Sequence, residues 1–476
     1  MSQDANETSP TRSKLGLWDA IAIIVGIVVG TAIFKTPKII FSCVDGPWQG
    51  MGAWALGGGL ALVGAFCYAE LATTYPRVGG DYVYLTKAFG RPVGFLFGWA
   101  QLTVILTASI GAMAYAFADY AVGFWGLDND VGVWLAVAAV VALAIINLLG
   151  VMAGKSVQNL LSVVKVVGLL GIVVIGFGWG GDASQEVDNP TWPAGFGLAM
   201  VLVLYAYGGW NDAAFVAAEV RDVHRNIPRA LFLGIAGITV IYLLVNGAYL
   251  WALGFEGVRA SETPAADTLR VYSGESGAKA MSVLVMISAL GAINGLIFTG
   301  SRIYAGMGAE HRIFALLGRW HPTFAAPVWA LTIQALIACA MILLVGTPQG
   351  WEMIDAGLSR LDMPLPDWYK NASGFETLVT STAPVFWMFF LLTGVSVFVL
   401  RDKDPDRERP FRMPFYPWTP LIFILTSIFM LQASVSYAEA LSLIGFVPLV
   451  IGLPVYFVSQ WMRPKGIDSA SAAKVE

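Results

Sequence analysis

The sequence predicts an all-α membrane protein with twelve transmembrane helices, and two observations lead to this fold class. Of the 476 residues, 57% are apolar and only 13% are charged, which is about half the charged share of a typical soluble protein. So few charges could not cover so much apolar surface in water. The apolar residues also cluster into segments of about 20 residues, the length that an α-helix needs to cross a bilayer.

Polar tails at 1–16 and 462–476 enclose a membrane domain, which we divide by its apolar segments. A first group of five helices is predicted at 17–179, a second group of five at 194–400, and a final pair at 416–461. The expected spans lie at about 17–41, 50–74, 93–122, 132–153, 156–179, 194–218, 230–254, 279–307, 326–346, 377–400, 416–434 and 440–461.

Basic residues predict the orientation of these spans. If the N-terminus lies in the cytoplasm, the segments that then face the cytoplasm hold 19 of the 28 lysine and arginine residues. This bias follows the positive-inside rule and indicates an even number of spans. We therefore expect a multi-pass protein of the plasma (cell inner) membrane, with both termini in the cytoplasm.

Charge and the placement of reactive residues argue against other classes of protein. A net charge of −4 without a basic tract argues against nucleic-acid binding. The three cysteines have no disulfide or zinc spacing. Since His224, His311 and His321 lie far apart in polar segments, we expect solvated histidines, no metal site and no cofactor. The spans also lack the paired acid and base of an enzyme and the carbonyl filter or acidic ring of a channel.

Two of the predicted spans contain residues that a simple hydrophobic helix avoids. The first reads GIVVGTAIF at 26–34 and is followed by Pro37, and the sixth reads YAYGGWND at 205–212. Glycine lets a backbone leave helical geometry, and Asp212 within a span must face protein or water. Small residues can also serve close helix packing. However, these segments open the two groups of five helices, where transporters with inverted repeats have discontinuous helices.

Broken helices in a membrane suit one kind of ligand. Unwinding exposes free N–H groups on one side of the break and free carbonyls on the other. The N–H end attracts a carboxylate and the carbonyl end attracts an ammonium group. A zwitterionic α-amino acid carries both groups a few ångströms apart, so two breaks side by side predict a binding site for an amino acid.

Lys165 lies near the middle of the fifth predicted span, several residues from either end. A lysine can snorkel to the interface. The distance instead favours an ammonium that points into the helix bundle and binds backbone carbonyls, because a charge that faces lipid is costly. We predict that Lys165 takes the place of a coupling cation and links the fifth helix to the broken first helix and to the eighth.

Several motifs occur in family order along almost the whole chain. They are GAFCYAEL at 64–71, GGDYVY at 79–84, YAYGGWN at 205–211, RNIP at 225–228, GAING at 291–295, FTGSR at 298–302 and ERP at 408–410. Together they resemble the amino acid–polyamine–organocation superfamily, and most closely its L-type amino acid transporter branch. The resemblance implies a LeuT-like fold with ten core helices in two inverted five-helix repeats, broken helices 1 and 6, and two peripheral helices.

The resemblance also implies which residues bind the substrate. Helix 1 would hold the substrate carboxylate, and the Tyr205 carbonyl would accept from its ammonium group while the Tyr205 ring closes over the substrate. Gly208 and Asn211 would hold the unwound segment of helix 6, and helices 3 and 10 would line a side-chain pocket. The full predicted set is Val28, Gly30, Thr31, Ala32, Ile105, Ser109, Tyr205, Gly208, Asn211 and Trp387. Asn294 and Thr299 join Lys165 in a coupling or structural role.

Charged and aromatic residues near the helix ends are candidates for gates. The acidic pair at the end of helix 2 is predicted to form an inner gate with the arginine of helix 8, although ordinary interfacial charges are an equal alternative. We expect Glu219, at the end of helix 6, to be a surface charge. The predicted gate residues are Glu70, Asp81, Arg302, Tyr205 and Trp210.

Two departures from the family pattern carry further expectations. The helix 1 motif is usually Gly-Ser-Gly, but here it reads Gly30-Thr31-Ala32. The extra methyl of Ala32 narrows the carboxylate site and favours small substrates. The outer loop at 123–130 lacks the cysteine through which mammalian relatives bond to a heavy-chain glycoprotein. We therefore expect no disulfide-linked partner.

The implied function is amino acid transport by alternating access, and not enzymatic catalysis. A lysine in the place of a cation predicts sodium-independent exchange of one amino acid for another. Proton-coupled or facilitated uptake is an alternative of the same class. An amino acid sensor on a transporter scaffold is an alternative of another class, which the short polar tails disfavour.

Overall fold

The computed structural model describes residues 15–128, 130–179, 195–261, 263–360 and 374–461. Within these ranges the regular secondary structure is helical, apart from an isolated bridge between Leu15 and Val220. The predicted tails at 1–16 and 462–476 lie almost entirely outside the described residues. The predicted all-α fold class is confirmed for the described part of the chain.

Seventeen α-helices follow one another in the described ranges. A π-helical turn at Gln101–Ile105 joins α5 to α6, and a 3-10 helix at Trp210–Glu219 follows α9. The α-helices are α1 (Leu17–Val28), α2 (Ala32–Ser42), α3 (Pro47–Thr74), α4 (Asp81–Phe89), α5 (Arg91–Ala100), α6 (Leu106–Trp125), α7 (Asp130–Leu148), α8 (Val151–Trp179), α9 (Phe196–Ala206), α10 (Val223–Ala260), α11 (Pro264–Ser273), α12 (Glu275–Glu310), α13 (Val328–Gly346), α14 (Pro348–Ser359), α15 (Gly374–Lys403), α16 (Trp418–Ala438) and α17 (Leu443–Trp461).

The described residues contain nine helical stretches long and apolar enough to cross a membrane, and ten if the bent pair α1–α2 is one span. Two features lower this number below the predicted twelve. The sixth predicted span is divided into the short α9 and a 3-10 helix. The last two predicted spans form one stretch, Trp418–Trp461. A multi-pass membrane protein is therefore established, and the number twelve stays a prediction.

Several helices extend beyond the apolar segments that predicted them. The span expected at 230–254 is the middle of α10, which continues past a kink at Gly254 with φ of 73°. The span expected at 279–307 lies within α12. Hydropathy identifies only the apolar part of a helix, which lies in the bilayer. It does not identify polar turns that continue the helix at either end.

Burial separates central helices from peripheral ones. Among the most apolar 18 residues of each stretch, 72% are buried in both Arg91–Trp125 and Glu275–Glu310. The corresponding share is 28% in Val151–Gly178 and 22% in Trp418–Trp461. The two central stretches contain α6 and α12, which pack along each other. Large apolar side chains such as Leu160, Leu425 and Phe457 are exposed on the peripheral helices, as expected for surfaces that contact lipid.

Candidate functional site

A cavity of about 160 Å³ lies where α1, α2 and α9 meet α6, α12 and α15. Gln101, Asp212 and Phe386, which the sequence did not assign to the binding site, form part of its wall. A cavity of about 150 Å³ holds a molecule the size of benzene, so this one fits a small amino acid. Every predicted substrate-binding residue lines it: Val28, Gly30, Thr31, Ala32, Ile105, Ser109, Tyr205, Gly208, Asn211 and Trp387.

The first helix break offers hydrogen-bond donors to the cavity. The chain bends by 52° between α1 and α2, and the Gly30 N–H donates to the Val28 carbonyl at 2.7 Å. The first N–H groups of α2, as at any helix N-terminus, lack acceptors one turn earlier. The buried Thr31 hydroxyl also has no hydrogen-bond partner among the described residues. This side of the break therefore suits an anion.

The carbonyl side of the first break is held by Lys165, whose side chain is fully buried. Its Nζ donates to the carbonyl oxygens of Gly26, at 2.6 Å, and Val29, at 2.9 Å. The Ser288 hydroxyl of α12 donates to the same Val29 oxygen at 2.8 Å. At Gly291, also on α12, a Cβ would lie 2.7 Å from Lys165 Cε. Lys165 thus joins α8 to α1, passes close to α12, and does not snorkel.

The second break lies between α9 and the 3-10 helix, directly against the first. Gly209 has a φ of 100°, in the left-handed region that favours glycine. A Cβ on Gly209 would lie 2.5 Å from Cγ2 of Ile27. The Gly208 N–H donates to the Tyr205 carbonyl at 3.0 Å. A carbonyl oxygen has two lone pairs, so the Tyr205 oxygen can also accept from a ligand.

Tyr242 of α10 joins the two breaks. Its hydroxyl lies 3.1 Å from the carbonyl oxygens of both Val28 and Ala206, which are the last residues of α1 and α9. The ring is fully buried. Tyr242 and Ser288 were not predicted from the sequence, since each lies in an ordinary apolar span. The only local signal was a polar side chain in that span, and many such residues bond only within their own helix.

Asn294 and Thr299 are buried on α12 but do not belong to the cavity wall. The Asn294 Oδ1 accepts from Asn147 Nδ2 of α7, and its Nδ2 donates to Gln158 Oε1 of α8, both at 2.8 Å. The Thr299 hydroxyl donates within its own helix, to the Gly295 carbonyl at 2.9 Å. Asn294 therefore ties α12 to two neighbouring helices, whereas Thr299 has a local contact.

The predicted gate charges pair differently from expectation. Arg302 does not contact Glu70 or Asp81: its Nε donates to Glu219 Oε1 at 2.8 Å. Glu70 pairs instead with Arg401, whose Nη2 lies 2.6 Å from Glu70 Oε2. The expectation that Glu219 is a surface charge is wrong, because only 2% of its side chain is exposed. Burial of one charge inside the bundle requires an opposite charge beside it, and Arg302 provides it.

The other predicted gate residues lie at different depths. Tyr205 lines the cavity. Trp210 is buried behind the cavity wall, where it packs edge-to-face on Tyr68 with ring centroids 5.1 Å apart. The Asp81 Oδ1 accepts from the Thr393 hydroxyl of α15 at 2.7 Å.

One histidine differs from the sequence prediction. His311 is 1% exposed and was expected to be solvated. Its Nδ1 lies 3.0 Å from the Ser459 hydroxyl of α17, and its ring packs on Phe95 with centroids 4.8 Å apart. His311 therefore helps to attach the peripheral α17 to the core. In the ranges that the structure covers, no three metal-ligating side chains come together.

These features define a class of protein. Broken helices that meet inside a membrane bundle, and enclose a cavity with donors on one side and carbonyls on the other, are typical of secondary transporters. The sequence profile of the amino acid permease family matches residues 15–458. The chain belongs to this family of the amino acid–polyamine–organocation superfamily, and it is a transporter and not an enzyme.

Individual relatives are similar over most of their length. The chain is 28% identical to the serine/threonine exchanger SteT of Bacillus subtilis, over 95% of this chain and 98% of the relative. It is also 28% identical to the b(0,+)-type amino acid transporter 1 of mouse, covering 95% and 89% of the two chains. The large neutral amino acids transporter small subunit 2 of rabbit is 28% identical, covering 95% and 82%. These relatives agree with the branch that the motifs indicated.

Proposed function

We propose that this protein exchanges amino acids across the plasma membrane by alternating access, without sodium. The observation that carries this proposal is the shared cavity, where two helix breaks bring backbone donors and acceptors to one place. Movement of α1 and of the 3-10 helix against the rest of the bundle would open the cavity to one side of the membrane at a time.

A zwitterion fits this cavity in one orientation. Its carboxylate lies at the N-terminus of α2, where the Thr31 hydroxyl is available as a donor. Its ammonium group lies toward the Tyr205 carbonyl, and its side chain toward Ile105, Ser109 and Trp387, which line the opposite wall. We propose small neutral amino acids as substrates, because the Ala32 methyl narrows the carboxylate site. The B. subtilis relative is named an exchanger of serine and threonine, which are small amino acids, and this supports the proposed size of the substrate.

The proposal that transport does not need sodium rests on Lys165. Its ammonium group already donates to two carbonyls of the first break, which are the kind of oxygen ligands that a bound cation would use. A tethered cation cannot dissociate, so it cannot drive net uptake by moving down a gradient. This favours exchange, in which the empty carrier does not need to return.

We also propose twelve transmembrane spans with both termini in the cytoplasm. In this topology, α1 with α2 is the first span, α9 with the 3-10 helix is the sixth, and α16 and α17 are the last two. The units 17–179 and 194–400 would form the two inverted repeats of a LeuT-like core. The distribution of basic residues supports the orientation.

A disulfide-linked heavy chain is not part of this proposal. The rabbit relative is named a small subunit, which implies a larger partner for that protein. In this chain Cys43 and Cys67 are buried and Cys339 is half-buried, and the loop at 123–130 has no cysteine. We propose that the protein transports without such a partner.

Reconstitution of the purified protein in liposomes tests the function. Vesicles loaded with unlabelled L-serine or with buffer alone receive labelled L-serine outside, with and without sodium or a pH gradient. We expect uptake that requires internal amino acid and is independent of sodium. Full uptake into buffer-loaded vesicles would contradict exchange, and faster uptake of leucine than of alanine would contradict the preference for small substrates.

A further inference from the structure

Two buried carboxyl groups beside the cavity have no basic partner among the residues that the structure describes. Asp212 lines the cavity and is 4% exposed, and Asp81 of α4 is 1% exposed. One oxygen of each accepts from a neutral donor: Asp212 Oδ1 from Asn211 Nδ2 at 3.1 Å, and Asp81 Oδ1 from the Thr393 hydroxyl at 2.7 Å. The second oxygen of each, Oδ2, has no hydrogen-bond partner in the described part of the chain.

The two other buried acids that the structure describes are each paired with an arginine. Glu219 lies 2.8 Å from Arg302, and Glu70 lies 2.6 Å from Arg401. Among the residues that the structure describes, no lysine, arginine or histidine plays this part for Asp81 or Asp212. Glu219 and Glu70 thus each have an arginine beside them, whereas Asp81 and Asp212 have no such counter-ion among the described residues.

The titratable groups that face the pair are tyrosines. The hydroxyl groups of Tyr68 on α3 and Tyr84 on α4 lie near Asp81, and Tyr304 on α12 lies near Asp212. Asp81 and Asp212 also act on each other electrostatically. Two neighbouring carboxylates that are buried without a cation repel each other and lose their hydration, so the doubly charged form is disfavoured. A proton on one of them would remove this cost.

We propose that Asp81 and Asp212 form a proton-binding site beside the substrate cavity, and that the protein binds its substrate with one proton on this pair. The proposal rests on the proposed transport function and names the ion that is bound together with the substrate. The proton forms an O–H bond on one carboxyl group and leaves the other ionised, so the pair carries a single negative charge.

Further contacts suit a proton at this place. The buried Tyr84 hydroxyl and the Asn211 Oδ1 have no hydrogen-bond partner among the residues described. A neutral carboxyl group donates a hydrogen bond, and an unpaired amide oxygen next to Asp212 can accept it. Burial raises the pKa of Asp81 to about 6, against the smaller lowering by the Thr393 and Tyr68 hydroxyl groups. Asp212 is on the 3-10 helix, which moves in the proposed transport cycle.

Binding of labelled L-serine to the purified full-length protein, measured from pH 5.5 to 8.5, tests the site. If the bound state holds one proton more than the free state, affinity falls by up to about tenfold per pH unit as the pH rises. Asp212→Asn and Asp81→Asn replace one carboxyl by a neutral amide of the same shape. We expect the affinity of both variants to be independent of pH over this range, and the exposed control Asp355→Asn to retain the wild-type pH dependence.

Two further measurements separate this proposal from the transport function itself. In weakly buffered solution, a pH indicator should report proton uptake by the wild type on serine binding, and none by Asp212→Asn. Without amino acid, the Tm of the wild type should fall as the pH rises from about 4 to 7, because the folded state binds the proton more tightly than the unfolded state. The double Asn variant should lose this fall.

Several outcomes would overturn the proposal. An unchanged pH profile in both Asn variants, or a wild type whose binding and Tm do not depend on pH, would show that the pair binds no proton. If added sodium restored affinity at pH 8.5, the pair would be a metal-cation site instead. If no amino acid bound at any pH while the Tm behaved as expected, the transport function would fail and the proton site would stand.

Discussion

The two helix breaks that border the cavity are stabilised in different ways. At the first break, Lys165 and Ser288 donate hydrogen bonds from neighbouring helices to the Val29 carbonyl. At the second, Gly209 takes a left-handed conformation and packs its backbone against Ile27. The comparison shows that the first break depends on donor groups supplied from outside, whereas the second depends on the absence of a side chain. Substitutions should therefore affect them by different mechanisms.

Lys165→Ala should have the largest effect. It removes a charged donor from two buried carbonyls, and hydrogen bonds to charged groups contribute about 1.5–3 kcal/mol each. We expect a fall in the free energy of unfolding of ~3 kcal/mol and loss of serine exchange by about 100-fold or more. Thermal unfolding and liposome exchange measure the two effects.

The exposed Lys279→Ala, on α12, is the matched control for loss of a lysine and should leave both quantities unchanged. Normal exchange by Lys165→Ala would contradict the idea that the ammonium group holds the first break. It would also remove the argument that this lysine stands in for a cation.

Gly209→Ala should have the next largest effect, through volume and not through a lost bond. The new methyl would lie 2.5 Å from Ile27 Cγ2 at a φ of 100°, so either the turn or helix α1 must shift. Strain and overpacking of this kind cost about 1–3 kcal/mol each. The Tm should fall and the affinity for serine should weaken, as binding measurements can show.

Gly237→Ala is the control for this substitution, since nothing lies within 4 Å of a Cβ on this α10 glycine. Alanine in a helix is more stable than glycine by up to about 1 kcal/mol, so the control should be neutral or stabilising. If Gly209→Ala behaved like the control, close packing would not hold the second break.

Sequence and motif reasoning predicted the two breaks and the residues on them, because glycine clusters and polar residues inside apolar spans are local signals. Partners from distant segments could not be predicted this way. Arg302 and Glu219 belong to different spans, and only the packing of the 3-10 helix against α12 brings them together. The burial of His311 likewise depends on α17, far along the chain. The number of spans stays a prediction: a broken helix and a closely spaced pair each appear as ordinary hydropathy peaks, whereas helix length and composition alone give nine or ten spans among the described residues.

Tyr242→Phe tests the contact that the two breaks share. Loss of the hydroxyl removes a donor from the carbonyls of Val28 and Ala206, and a neutral hydrogen bond contributes about 0.5–1.5 kcal/mol. We expect the Tm to fall and exchange to slow by several-fold. Tyr249→Phe, on the same helix, is a close control, because its buried hydroxyl has no hydrogen-bond partner within the described residues. Equal effects of the two substitutions would mean that the Tyr242 bridge does not stabilise the breaks.

Ser288→Ala should have the smallest effect of these substitutions, and it tests whether the two donors at the first break act together. Its hydroxyl donates to the Val29 oxygen, which Lys165 also contacts, so one donor remains after the substitution. We expect a loss of about 1 kcal/mol in the free energy of unfolding. Ser282→Ala is the control and should change this free energy less, because its hydroxyl donates to the Ala278 carbonyl one turn earlier on α12. Because both donors act on one oxygen, the effect of Ser288→Ala should differ in the Lys165→Ala background. Additive effects would show that the two donors hold the first break independently.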